Sequence, residues 1–271
     1  LTSANSINVG RLVPQIVYYF DSYKQLVQQG VIQVGDKVSF TVPTGNFGDV
    51  LAGYYAYLMG LPVEKFYVAS NANRVLTDFL TSGIYDRNRD FIQTISPSMD
   101  ILISSNLERL LYYASNKDTQ KVAGWMQELN EKGRYQVDEQ TFETIKNLFA
   151  CASVDDNGTR QEIHDVYEKT KYLLDPHSAI AYKVAKDNAG RPVVSLATAS
   201  PYKFSQDVLK ALNINEENEW VAMDELSKYC QDVIPAQLKE LRDLAILHNQ
   251  VIDVDSMKDV VCQSTQEVFH D

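Results

Sequence analysis

Cysteine, histidine and basic runs are scarce in this chain, and each scarcity removes a class of function. The 271 residues hold three cysteines, Cys151, Cys230 and Cys262, with no CxxC pair. An odd number of widely spaced cysteines builds neither a disulfide framework nor a zinc site, and suits a reducing cytoplasm. The four histidines, His164, His177, His248 and His270, show no HxxxH or HExxH spacing, so a helical metal pair is not expected. Asp and Glu outnumber Lys and Arg by 36 to 25, for a formal net charge of -11. Without a basic stripe to neutralise phosphates, nucleic acid is not an expected partner. The longest apolar stretches, Leu12 to Phe20 and Val50 to Gly60, fall far short of the roughly 20 residues that span a bilayer, so no membrane helix is expected. The opening Leu1-Thr2 has neither Met nor signal-peptide features, and reads as the start of a piece of a longer protein.

What is present is an alternation of helical and extended patterns without repeats or Pro-rich linkers, which reads as one α/β domain over 1–271. Between Ser6 and Gln29, Leu12, Ile16, Tyr19, Tyr23 and Leu26 recur at helical spacing, and Gly30 supplies a stop. Lys37 to Val42 is β-branched, Val50 to Met59 is helical, and Glu64 to Ala69 is extended again. Strand, helix and strand with short joints predict a βαβ unit, hence a parallel sheet flanked by helices. Helices are further predicted over Asn71–Ser82, Asn106–Ser115, Asp118–Lys132, Asp138–Phe149 and Thr159–Leu174. A last strand is expected over Pro192–Ala197, a helix over Tyr202–Leu212 with Pro201 at its start, and another over Asp224–Leu247, interrupted at Pro235.

Two segments sit where a strand ends and a helix begins. In Pro43-Thr-Gly-Asn-Phe-Gly-Asp49, Gly45 and Gly48 allow a close ligand approach, and successive N–H groups at a helix start suit a phosphate. The segment is neither a Walker loop nor a GxGxxG site. A tight turn in which Asn46 or Asp49 merely caps the helix is the alternative. In Leu196-Ala-Thr-Ala-Ser-Pro201, Thr198 could face the same crevice, since ligands of parallel sheets bind outside the carboxyl ends of strands. Thr198 and Ser200 could equally be helix caps. Asn5, Ser6, Asn8 and Arg11 at the first helix start, and Asn106 and Arg109 in Ser104-Ser-Asn-Leu-Glu-Arg109, are candidates for a second anion pocket. For Ser6 the alternative is a simple N-cap, and for Arg109 an ion pair at the surface. His177, beside Pro176, reads as structural rather than as an acid or base.

Leu1-Thr-Ser-Ala-Asn-Ser-Ile-Asn8, Pro43 to Asp49, Ser96-Pro-Ser-Met-Asp100, Asp175-Pro-His-Ser-Ala179 and Ala197-Thr-Ala-Ser-Pro201 stand in the order of the same motifs in threonine synthases. The chain resembles that family over essentially its whole length. The resemblance implies a fold type II pyridoxal 5'-phosphate enzyme, with Gly45, Asn46, Phe47, Gly48 and Asp49 on the cofactor phosphate and Thr198 on the pyridine nitrogen. It implies conversion of O-phospho-L-homoserine and water to L-threonine and phosphate, with monomer and dimer both open. None of the lysines here matches the family's cofactor lysine motif, which lies upstream of the segment resembling Leu1-Thr-Ser-Ala-Asn. A carboxyl-terminal portion, truncated at its amino terminus and inactive alone, is therefore expected. Ser200 departs from the family, where many members carry His. Two alternatives stay open: an α/β module binding some other phosphorylated ligand, and a catabolic O-phosphohomoserine phospholyase.

Overall fold

The computed structural model describes residues 5–188, 190, 192–247 and 249–268. Leu1-Thr-Ser-Ala4, the first half of the opening motif, and His248 and His270 lie outside the described residues. The chain divides into two compact units, Leu1–Val233 and Ile234–Asp271, where the sequence reads as a single domain. The first unit runs α1 (Val9–Gln28), β1 (Val38–Pro43), α2 (Gly48–Leu58), β2 (Val63–Ser70), α3 (Val75–Ser82), β3 (Ile84–Asp86), α4 (Leu107–Ala114), α5 (Thr119–Lys132) and β4 (Arg134–Gln136). It continues with α6 (Glu139–Leu148), β5 (Phe149–Ser153), α7 (Asp156–Thr170), α8 (Pro176–Asn188), β6 (Val193–Ser195), α9 (Ser205–Ala211) and α10 (Glu219–Leu226). The second unit carries α11 (Ala236–Glu240) and α12 (Met257–Val268). No described helix is long and apolar enough to cross a membrane.

The expected α/β core is there: four parallel strands in the order β5-β2-β1-β6, with β3 and β4 forming a separate antiparallel pair. Parallel strands are covered on both faces, so they read as near-continuous apolar runs, and β1 is buried from Val38 to Val42. On the face toward α1 and α2, three neighbouring strands place Phe40, Phe66 and Phe149 in register. Their rings stack at centroid distances of 6.0 and 5.5 Å, and Tyr19 of α1 meets Phe40 edge-on at 5.0 Å. Helix α2 fits against this aromatic row because Gly53 has no side chain; a Cβ there would lie 2.5 Å from the Tyr19 ring and 2.7 Å from that of Phe66.

The opposite face is filled by α8, whose Ile180, Ala181 and Val184 pack with Ala69, Met99 and Val154. Helix α8 and strand β5 are the core elements that the sequence pattern does not announce. Several helix starts also shift for identifiable reasons. Helix α3 begins at Val75 rather than Asn71, since Asn71 and Asn73 spend their side-chain amides on the Asp100 carboxylate at 2.7 and 2.9 Å. Helix α1 is capped by Asn8, which accepts from the Gly10 N–H at 2.9 Å, so Ser6 is not its N-cap. The long tail helix predicted over 224–247 is instead α10 and α11, separated around Pro235.

Candidate active site

The carboxyl ends of β1 and β6 lie side by side, and their following loops form two walls of one cavity of about 410 Å³. The first wall is the segment Thr44–Asp49. Thr44 anchors it, its N–H donating to the Ala69 carbonyl at 2.8 Å and its hydroxyl to the Val42 carbonyl at 2.8 Å. Phe47 then takes a left-handed conformation at φ 60°, held by a fully buried ring packed on Phe149 at 5.8 Å. That backbone is costly for a bulky residue, and a buried anchor is what makes it persist.

The carbonyls of this loop are drawn to its rear. Ser104 Oγ donates to the Gly45 carbonyl at 2.8 Å, and Asn106 donates to the Asn46 carbonyl through its backbone N–H at 3.1 Å and its Nδ2 at 2.9 Å. The amides are left over. Among the described residues, the N–H groups of Gly45, Asn46, Phe47, Gly48 and Asp49 have no acceptor, and no side chain caps α2. The capping alternative for Asn46 and Asp49 therefore fails, and the helix start presents five donors and a positive dipole end. Two glycines serve the loop differently. A Cβ on Gly45 would lie 2.9 Å from the Ser98 carbonyl oxygen, whereas one on Gly48 would make ordinary contacts at 3.6 Å. Gly45 is demanded by the protein itself; Gly48 leaves room for something else.

The Asp49 carboxyl group is the exception to this anion-seeking surface. Burial pushes it up to about 6, against a hydrogen bond from Tyr19 that pulls down. The Tyr19 hydroxyl donates to the Asp49 carbonyl at 2.8 Å and its Oδ1 at 3.2 Å, and Tyr19 itself is raised well above its ordinary value by burial. The Asp49 N–H suits an anion, and its side chain does not.

On the second wall, the two hydroxyls separate. Ser200 accepts from the Tyr202 N–H and caps the short 3-10 turn Pro201–Phe204. Thr198 caps nothing and has no protein partner among the described residues, so its hydroxyl is free at the cavity edge.

The proposed second-anion residues divide as well. Asn5, Ser6 and Arg11 border the cavity. Asn8 is occupied as the cap of α1. Asn106 is fully buried behind the loop, with Nδ2 on the Asn46 and Ser6 carbonyls and Oδ1 accepting from Arg109 at 2.5 Å. Arg109 also donates to the Ile7 carbonyl at 2.7 Å. These two residues lash the start of α1 to the loop rather than lining the cavity.

Gln15, Ser98, Met99, His177 and Lys203 also border the cavity. Lys203 is exposed, and while its backbone N–H donates to the Ser200 carbonyl, its ammonium group has no protein partner among the described residues. Its signal in the sequence was its place five residues after Thr198, which the 3-10 turn folds back toward the crevice.

Residues of all five motif segments, Asn5 and Ser6 of the opening one and others from 43–49, 96–100, 175–179 and 197–201, thus border this one cavity. A family model described as threonine synthase, C-terminal, matches residues 178–261. The chain is 40% identical to the threonine synthase of Saccharomyces cerevisiae over 263 residues, which is 89% of this chain and 48% of that protein. Over most of its length the chain is homologous to threonine synthases. Threonine synthase-like 1 of Homo sapiens is 44% identical over 222 residues, 81% of this chain and 30% of that protein. The pyridoxal-phosphate-bound threonine synthase of Brucella melitensis matches with a TM-score of 0.78 at 41% identity, covering 92% of this chain and 50% of that one. The chain spans about half the length of the threonine synthases it matches, and less of Threonine synthase-like 1.

Proposed function

We propose that this chain supplies the cofactor-phosphate wall of a pyridoxal-phosphate-dependent threonine synthase, a carbon–oxygen lyase that converts O-phospho-L-homoserine and water to L-threonine and phosphate. One observation carries the reading: five unpartnered amides face a cavity whose opposite wall offers the free Thr198 hydroxyl. A group with a phosphate at one end and a ring nitrogen at the other fits such a pair of walls. The cofactor, when bound, supplies an electron sink for the carbanions of β,γ-elimination. Gly45 to Asp49 would hold its phosphate through main-chain N–H groups. Thr198 would donate a hydrogen bond from its hydroxyl to the pyridine nitrogen, and, unlike a carboxylate, would not keep that nitrogen protonated.

A substrate carrying its own phosphate and carboxylate needs further cationic and donor groups. Arg11 and Lys203, with Asn5 and Ser6, supply them at the cavity rim. Lys203 is the one lysine bordering the cavity among the described residues, and we assign it to an anion rather than to covalent attachment of the cofactor. Attachment falls to a lysine outside this sequence, so the chain alone is inactive. A reducing cytoplasm suits its three thiols.

The test has two parts. Purified chain is titrated with pyridoxamine 5'-phosphate, then incubated with pyridoxal 5'-phosphate and borohydride and mapped by mass spectrometry. Saturable binding of the first without stoichiometric labelling of Lys203 supports the reading; labelling at Lys203 overturns the assignment of attachment to another lysine. The protein from the longest available reading frame is then assayed with O-phosphohomoserine. Threonine and phosphate in equal amounts are expected, whereas 2-oxobutyrate with phosphate would make it a phospholyase.

A further inference from the structure

At the border of the same cavity, a buried pair of side chains, Asp175 and His177, holds the segment that packs against Gly45. His177 is the second residue of α8 and is 3% exposed; its ring packs on Phe204 at a centroid distance of 4.8 Å. Its Nε2 lies 3.3 Å from the backbone N of Ser98 and accepts that N–H, while Nδ1 lies 3.2 Å from Asp175 Oδ1. Asp175 is 2% exposed and also accepts from the backbone N–H groups of His177 and Ser178, at 2.8 and 3.2 Å, and from the Ser178 hydroxyl. Burial alone would raise the Asp175 carboxyl, but the hydrogen bonds from His177 and Ser178 outweigh it and hold it below the usual carboxylate value.

The reason for this arrangement lies in the 3-10 turn Pro97–Met99. Met99 and Asp100 donate to the carbonyls of Ser96 and Pro97, and Pro97 has no N–H, so Ser98 is left with an orphan donor that His177 satisfies. Asp100, gripped by Asn71, Asn73 and Thr94, fixes the other end of the same segment. Between these two fixings the Ser98–Met99 backbone presses on Gly45, close enough that a Cβ there would be 2.9 Å from the Ser98 carbonyl oxygen and 3.1 Å from Met99 Cα.

We propose that His177 is a positioning residue, locked by Asp175 as the Nδ1–H tautomer so that Nε2 seats Ser98 against Gly45 and thereby sets the width of the amide cup. Both ring nitrogens are engaged, so the imidazole has no nitrogen left for proton transfer to a ligand in the cavity. The inference rests on the reading of Gly45–Asp49 as a phosphate seat.

Nitrogen-15 NMR of the wild-type imidazole tests the tautomer, and pyridoxamine 5'-phosphate titration of variants tests the consequence. The expected result is a protonated Nδ1 and bare Nε2 at neutral pH. His177→Gln, whose amide oxygen reaches toward the Nε2 position, should keep affinity within about threefold. His177→Asn reaches only the Nδ1 position and should lose about tenfold, the equivalent of one hydrogen bond, at a melting temperature matching that of His177→Gln. A protonated Nε2, which needs no folded variant to detect, overturns the proposal. So do equal losses in the two variants, which a merely structural role would give. Wild-type protein that binds no pyridoxamine 5'-phosphate overturns the phosphate-seat reading and this inference with it.

Discussion

The loops after β1 and β6 leave adjacent strands, turn at the same edge of the sheet and start new helical turns, yet they treat their N–H groups in opposite ways. After β6, Ser200 caps the turn and the loop closes on itself. After β1, no side chain caps α2, and Ser104 and Asn106 draw the carbonyls away so that the amides stay open. A helix start left uncapped inside a cavity costs stability in the empty protein, and an anion that fills it returns that stability as affinity. On the proposed reading, the difference separates a loop that closes on itself from a loop left open for a ligand.

Substitutions can break this comparison at graded strength. The largest effect is expected for Gly45→Ala, whose Cβ would drive the loop off Ser98 and Met99; pyridoxamine 5'-phosphate affinity should fall about hundredfold, with a stability loss of about 1–3 kcal/mol in urea unfolding. Gly48→Ala meets only ordinary contacts at 3.6 Å, so affinity should fall while the unfolding midpoint stays put. A fall in both would mean that the open loop is less tolerant than its spacing implies.

Asp49→Asn sharpens the comparison through pH. The Asp49 carboxyl is raised from 3.8 to about 6 in the fold, so its contribution favours the folded state at low pH and is lost as pH rises through about 6. The variant should therefore match wild type near pH 4 and melt higher at pH 7.5, by at most about 3 kcal/mol of stability. An identical shift at both pH values would show that the carboxyl is not the cause.

On the other loop, Thr198→Val should weaken pyridoxamine 5'-phosphate by about tenfold and leave melting unchanged, with Thr198→Ser restoring affinity. Ser200→Ala should do the reverse, costing about 0.5–1 kcal/mol of stability at constant affinity. Ligand loss in Ser200→Ala without destabilisation would erase the distinction between the two loops.

Much of this contrast was written in the sequence, and the parts that were not have physical reasons. Strands β1 and β2 were legible because β-branched runs were bounded by Gly and Pro. Strand β5, Phe149-Ala-Cys-Ala-Ser153, follows α6 with no punctuation, and only its pairing with β2 makes it a strand. Helix α8 is buried from Pro176 to Ala181, so it lacks the polar face by which amphipathic helices announce themselves. At the site, the Gly45–Asp49 loop and Thr198 were visible as residue types at strand ends. Asn106 and Arg109 looked like anion ligands, since nothing in a sequence says that a donor is already spent on the Asn46 and Ile7 carbonyls. Nothing in the sequence beyond its spacing from Thr198 marks Lys203, because its approach to the crevice depends on the turn Pro201–Phe204.

The left-handed Phe47, clamped by its ring against Phe149, bears on how quickly the cup can be filled. A loop already held in its strained shape from behind has no slow rearrangement to complete when a ligand arrives. Stopped-flow mixing with pyridoxamine 5'-phosphate should accordingly give observed rates that climb in proportion to ligand concentration without reaching a plateau.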